Sequence, residues 1–294
     1  MVRSLSPRRV SPIAFGEFAR FPADETGSCR PMKLNEQKAA LRVAIEAARA
    51  AGGLMRRHFH TVKKVQMATQ HDIKLELDVR CQRLIERRLR AAFPRVPVLG
   101  EEGVVGDPHA EARWVVDPID GTVNFTYGIP HACVSIALQA QGQLPEEPFR
   151  TLVGVVYDPF CDELWTAIRG QPARLNDRVT RVSRRRRLEE TILTLGFAKH
   201  RRSLEAMLPT FNRLVHRVRK IRIMGSAALA LTYVASGRMD AYLESGIRLW
   251  DIAAGGLILE CAGGDFWHEP VKGDYTYRIM ANNGQLRSVL RRLL

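Results

Sequence analysis

Apolar residues recur at helical spacing from 33 to about 59. Leu34, Leu41, Ala44, Ile45, Ala48, Leu54 and Met55 share one face there, and Asn35 offers a cap. A second helix is predicted over 78–92, with Cys81, Leu84, Ile85 and Leu89 on one side and Arg and Glu on the other. Pro94 closes it, because proline cannot continue the hydrogen-bond ladder. The texture then turns to short β-type runs at 96–99, 114–116, 133–138, 152–157 and 163–167. Residues 157–162 read as the hairpin connection between the last two runs, and Asn176-Asp177 as a further turn. Beyond the arginine run at 184–187 the order becomes strand (191–195), helix (204–218), strand (221–224), helix (226–236), strand (240–243) and helix (250–261). Gly263-Gly264 ends the last of these, and a strand at 277–281 and a helix from Gly284 finish the chain. Antiparallel sheet first and alternating α/β second predicts two subdomains, 32–185 and 186–294.

Composition changes this picture little. With 294 residues, 46% hydrophobic and 26% charged, the chain can bury a sizeable core. No run approaches the apolar length of a membrane span. Residues 1–31 carry Arg and Ser without the apolar stretch of a secretory signal, and read as a poorly packed extension; Met32 offers an alternative start. Five scattered cysteines without C-x-x-C spacing speak against a zinc ribbon or disulfide framework and suit a reducing compartment, the cytoplasm. The formal charge of +14 admits nucleic acid as a partner, an anionic substrate, or simply a solvated basic surface.

Three acidic motifs carry the chemistry. In Trp114-Val-Val-Asp117-Pro-Ile-Asp120-Gly121-Thr122 an apolar strand delivers Asp117 at its end, and Pro118 forces a turn. Carboxylates at i and i+3 can converge there with the Ile119 carbonyl, an oxygen set that suits a hard cation such as Mg²⁺. Backbone N–H groups after Asp120, at Gly121 and Thr122, would face the same site and suit a phosphate. The competing reading is an Asp-Pro turn with Asp120 as a helix cap. Leu99-Gly-Glu101-Glu-Gly103 places two carboxylates straight after a β-type run, which fits either a cation or an exposed acidic loop. Leu249-Trp-Asp251-Ile-Ala-Ala-Gly255 opens a helix with an Asp that reads equally well as a plain cap, followed by small residues that permit close backbone approach.

In this order, the Gly-Glu-Glu, Asp-Pro-Ile-Asp-Gly-Thr and Trp-Asp-x-x-Ala-Gly segments resemble the inositol monophosphatase family, from about Leu34 to the C-terminus. Gly225-Ser-Ala-Ala and Asp240-Ala-Tyr-Leu-Glu244 extend the resemblance. It implies a layered αβαβα sandwich of the inositol monophosphatase/fructose-bisphosphatase type, a homodimer, and two or three Mg²⁺ ions hydrolysing a small phosphate monoester, inositol monophosphate foremost. Residue by residue, it implies Glu101, Asp117 and the Ile119 carbonyl on one metal, and Asp117, Asp120 and Asp251 on a second. Thr122 and Glu101 would ready the attacking water, with Asp78 polarising the Thr122 hydroxyl. Glu244 and the Gly225-Ser226-Ala227 backbone would meet the polyol, and Asp120, Gly121, Thr122 and Asp251 would border the phosphate. Phe197, Leu75 and Leu77 stand where relatives often carry hydroxyl side chains, so substrate preference is open between inositol phosphates and sugar phosphates such as fructose bisphosphate. The alternative of another class, a basic nucleic-acid or regulatory binding protein, rests on net charge alone.

Overall fold

The computed structural model describes residues 32–68, 73–144, 147–197 and 201–293; the expected extension at 1–31 lies outside them. Helix α1 (Leu34–His58) buries Ala40, Ala44, Ala47, Ala48, Ala51 and Met55, a mostly small stripe that lets neighbours approach closely. The strands β1 (Val65–Ala68) and β2 (Ile73–Leu75) form a short antiparallel pair absent from the sequence prediction, four and three residues being too few to show a pattern. Helix α2 (Glu76–Ala92) follows and packs along α1.

Next come β3 (Val98–Gly100), β4 (Gly103–Val105), β5 (Ala112–Asp120), helix α3 (Thr122–Thr126), β6 (Cys133–Leu144), β7 (Glu147–Asp158), β8 (Glu163–Ile168), β9 (Arg174–Leu175) and β10 (Arg178–Val179). These strands build an eight-stranded sheet in the order β10-β9-β8-β7-β6-β5-β3-β4. It is antiparallel except where β3 runs parallel to β5. The second half holds β11 (Ile192–Leu195), α4 (Arg201–Leu214), β12 (Lys220–Arg222), α5 (Ala227–Ala235), β13 (Ala241–Arg248), α6 (Leu249–Cys261), β14 (Asp265–Pro270), β15 (Thr276–Asn282) and α7 (Arg287–Arg291). Its sheet has the order β12-β11-β13-β15-β14.

The predicted βα alternation describes β12, β11 and β13, which are parallel. It fails for β14 and β15, which form an antiparallel hairpin after α6. A turn of only five residues joins these two, too few for a parallel crossover.

Period-two alternation along the strands sorts the core into layers. Trp114, Val116, Ile136, Leu138, Val153 and Val155 face α1 and α2 on one side of the large sheet. Val115, Ala137, Val156 and Trp165 face α5 and α6 on the other. Those two helices also receive Tyr242, Ile247, Ile279 and Ala281 from the small sheet, so they are apolar nearly all round. Leu193, Leu195, Leu243 and Met280 cover the far side of the small sheet with Met207, Leu214 and Leu290 from α4 and α7. The stack is helix, sheet, helix, sheet, helix: an αβαβα sandwich. Contact is close at the centre, where a Cβ added to Gly154 of β7 would lie 2.8 Å from the Ala254 carbonyl of α6.

Candidate metal centre

The centre begins in β5, which is buried along its whole length. Asp117 pairs with Ser135 and Asp120 with Cys133, and the ladder is irregular between them. Pro118 has no N–H to give the ladder, so the strand bulges there and both carboxylates turn to the same end. The Ile119 N–H donates to Asp117 Oδ1 (3.0 Å), and the Ile119 carbonyl accepts the Thr122 hydroxyl (2.8 Å). Gly121 completes the turn at φ 93°, with His131 O only 2.8 Å from where a Cβ would sit. Glycine is required there on both counts.

The other acids arrive on separate elements. Asp251 stands in the first turn of α6 and accepts the Arg248 N–H (3.1 Å), while the Ser135 hydroxyl donates to Trp250 O (3.1 Å) and fixes that helix start to β6. Asp117, Asp120 and Asp251 each offer a carboxylate oxygen within 4.8 Å of the other two. Glu101 follows β3, its N–H donating to Val116 O (3.1 Å), and its charge bears on both Asp117 and Asp251.

Asp120 does more than face the cluster. It accepts the Ser226 hydroxyl (2.5 Å) and the Ala228 (2.7 Å) and Ala227 (3.2 Å) N–H groups at the start of α5. Ser226 and Ala227, expected to meet a polyol, here give these donors to Asp120. Gly225 sits at φ 76° against the Asn124 side chain. Asp78, in the first turn of α2, accepts the Leu75 N–H (2.7 Å). The expected bond from Thr122 to Asp78 is replaced by the one to Ile119, because the tight turn puts that carbonyl three residues behind the hydroxyl. Glu244 accepts the Tyr242 hydroxyl and lies against Gly196, where a Cβ would overlap its carboxylate. Phe197 packs into the core beside α4 instead of offering a polar group.

Two residues that the sequence reading passed over hold this geometry. Gln82 of α2 accepts the Glu102 N–H (2.9 Å) and donates to Gly103 O (3.1 Å), so it braces the acidic loop. Asn124 donates both amide hydrogens, to His131 O (2.9 Å) and Met224 O (2.8 Å), and thereby ties the β5 turn to the loop before α5.

Electrostatics favour a cation. Burial, then Glu101, Asp120 and Asp251, push the Asp117 carboxyl well above its ordinary range. Burial, then Asp120 and Glu101, push Asp251 well above its ordinary range too, against the pull of the Arg248 N–H and the Asp117 carboxyl. Burial also raises Asp120, against the pull of its Ser226, Ala228 and Ala227 donors and nearby His131. Like charges 4.8 Å apart repel by about 3 kcal/mol per pair at an effective dielectric near 20. Uncompensated, the acids retain protons; a hard divalent cation removes both the protons and the repulsion, and an all-oxygen donor set matches it.

The model of the inositol monophosphatase family matches residues 36–285. Inositol monophosphatase 1 of Solanum lycopersicum is 37% identical over 257 residues, 84% of this chain and 91% of that protein. The chain belongs to the inositol monophosphatase family. The Nus factor SuhB of Xylella fastidiosa is 41% identical over 235 residues, 78% of this chain and 81% of that protein. Among solved structures, the extragenic suppressor protein suhB of Bartonella henselae superposes with a TM-score of 0.78 at 36% identity, covering 87% of this chain and 98% of that one. The inositol monophosphatase of Anabaena gives 0.75 at 35%, covering 87% and 95%. Membership in this generally metal-dependent family implies phosphatase activity, and the sandwich described above is the family's.

Proposed function

We propose that the chain hydrolyses small phosphate monoesters, inositol monophosphate first among them, with two or three Mg²⁺ ions per site. The observation that carries this reading is the meeting of Asp117, Asp120 and Asp251 within 4.8 Å, with Glu101 alongside. Asp117, central to the cluster, would bridge; Glu101 and the Ile119 carbonyl would complete one cation, and Asp120 and Asp251 the other. Bound there, the cations would supply positive charge to offset that gathering on the phosphoryl oxygens and would acidify a water. Thr122 keeps its hydroxyl hydrogen on Ile119, which leaves its oxygen able to accept from the attacking water and orient it. Asp78 supports this wall from the start of α2, where β2 packs beside α3. Glu244 borders the substrate's hydroxyl face, and its position over Gly196 fixes how close a polyol approaches.

Both proposed subdomains, 32–185 and 186–294, contribute: β5 and the 101–103 loop from the first, α5 and α6 from the second. The reading includes a cytoplasmic homodimer, which sedimentation of the purified chain tests. The activity test is phosphate release from inositol monophosphate, fructose bisphosphate and other sugar phosphates, with Mg²⁺ and with chelator. Inositol monophosphate is expected to give the highest kcat/KM, and Asp117→Asn to lose activity by about a hundred- to a thousandfold, on the scale of removing one electrostatic group from a catalytic site. Release that survives chelation, or unchanged activity in the variant, overturns the reading.

A further inference from the structure

On the outermost layer, away from the acidic centre, a groove of about 850 Å³ runs between α1 and α2. Its walls are Arg57, Arg80, Arg83, Arg87 and Arg90, and its floor includes Leu54 and Leu84. All five arginines are exposed, and among the described residues none forms an ion pair. The acid beside them, Glu86, accepts a hydrogen bond from Gln82 (2.9 Å). Unpaired guanidinium groups so close together repel one another, and a structural role would supply carboxylates to relieve that.

Spacing gives the arrangement direction. Arg80, Arg83, Arg87 and Arg90 fall at i, i+3, i+7 and i+10, one face of α2, so the stripe extends about 15 Å at 1.5 Å per residue. The opposite face of α2 carries the buried Asp78 and Gln82, so the stripe and the acidic centre use different sides of one helix. Duplex DNA carries one phosphate per about 1.7 Å of its axis over both strands, so a stripe of about 15 Å meets several of them across a groove. Guanidinium forks suit phosphate oxygens, and Leu54 and Leu84 in the same groove offer apolar surface to the arginine stems. No aromatic side chain lines the groove, which leaves unpaired bases nothing to stack on. The chain's own residues 1–31 are a poor occupant by charge, with five arginines against three acids.

We propose that this stripe binds the phosphate backbone of duplex DNA, without reading its sequence. The test is fluorescence anisotropy of a labelled DNA duplex of about 24 base pairs with the full chain, titrated from about 50 to 200 mM salt. Replacing Arg80, Arg83, Arg87 and Arg90 by Gln is expected to weaken binding at least tenfold and to lower the log–log salt slope by about three to four, at about 0.9 per phosphate contact. The same variant should keep its melting temperature and its phosphatase kcat/KM. A charge-matched control, Arg178, Arg181, Arg184 and Arg186 to Gln, should keep wild-type affinity. Equal losses in the two variants would mean bulk charge and overturn the stripe. Tighter binding of a single strand, or binding of polyglutamate in place of the duplex, would overturn the duplex as partner. A stripe variant that binds duplex normally but loses kcat/KM in a salt-dependent way would assign the arginines to substrate steering instead.

Discussion

At the scale of single residues, the centre depends on groups that touch no cation. Asn124 spends both amide hydrogens on backbone carbonyls from opposite sides of the site. Asn124→Leu leaves both carbonyls unsatisfied, which costs roughly 1–3 kcal/mol each where they are buried. The expected outcome is a lower melting temperature and a kcat reduced about tenfold with little change in KM, because the Thr122 turn and Asp120 lose their common anchor; a kcat equal to wild type would remove that role. The thiols give an independent check on packing. Burial, then the Asp78 charge, pushes the Cys81 thiol up to about 12, and Cys133 is fully buried and also raised. Of the cysteines at 81, 133 and 161, only exposed Cys161 should be alkylated in the native protein near neutral pH, and mass mapping after mild treatment reads this directly.

At the scale of elements, a close joint lies between β7 and α6, where Gly154 faces the Ala254 carbonyl. A methyl group there meets backbone, which cannot swing aside, so Gly154→Ala should destabilise by about 1–3 kcal/mol by overpacking. Since α6 carries Asp251, its displacement should also lower metal affinity; denaturant midpoints with and without Mg²⁺ separate the two effects. Much of this architecture was legible in the chain. The α1 and α2 faces and the strands β3 and β5 to β8 of the large sheet followed from periodicity, because buried strands and amphipathic helices write their environment into their sequence; the αβαβα class followed from the family resemblance that the ordered acidic motifs carry. β1, β2, β4, β9 and β10 were not legible, being two to four residues long. β14 was hidden by Asp265, His268, Glu269 and Pro270, which are tolerated because that strand lies at the sheet edge. The acids of the centre were legible as types and spacing. What they bond was not: the capture of Ser226 and Ala227 by Asp120 spans more than a hundred residues, and no local pattern encodes it.

At the scale of the whole molecule, the two sheets hold between them carboxylates that repel unless neutralised. Their pKa values are raised in the folded chain, so folding retains protons that the unfolded chain gives up. That contribution to stability is complete below about pH 4 and is lost as the pH climbs through the raised values. Without divalent cation, stability should therefore fall toward neutral pH. The stabilisation by Mg²⁺ should grow from pH 5.5 to 8, reaching about 2.7 kcal/mol per bound ion when the ion is at about a hundred times its Kd. Melting curves in chelator and in Mg²⁺ at the two pH values check the sign. The most direct measurement of the central claim is a count of bound cations: Mn²⁺ titration followed by electron paramagnetic resonance, with Mg²⁺ as competitor, for the wild type and Asp117→Asn. The wild type should take up at least two ions per chain that Mg²⁺ displaces, and the variant should hold at most one. A wild type that leaves Mn²⁺ free in solution, or a variant that binds it equally well, would contradict the account.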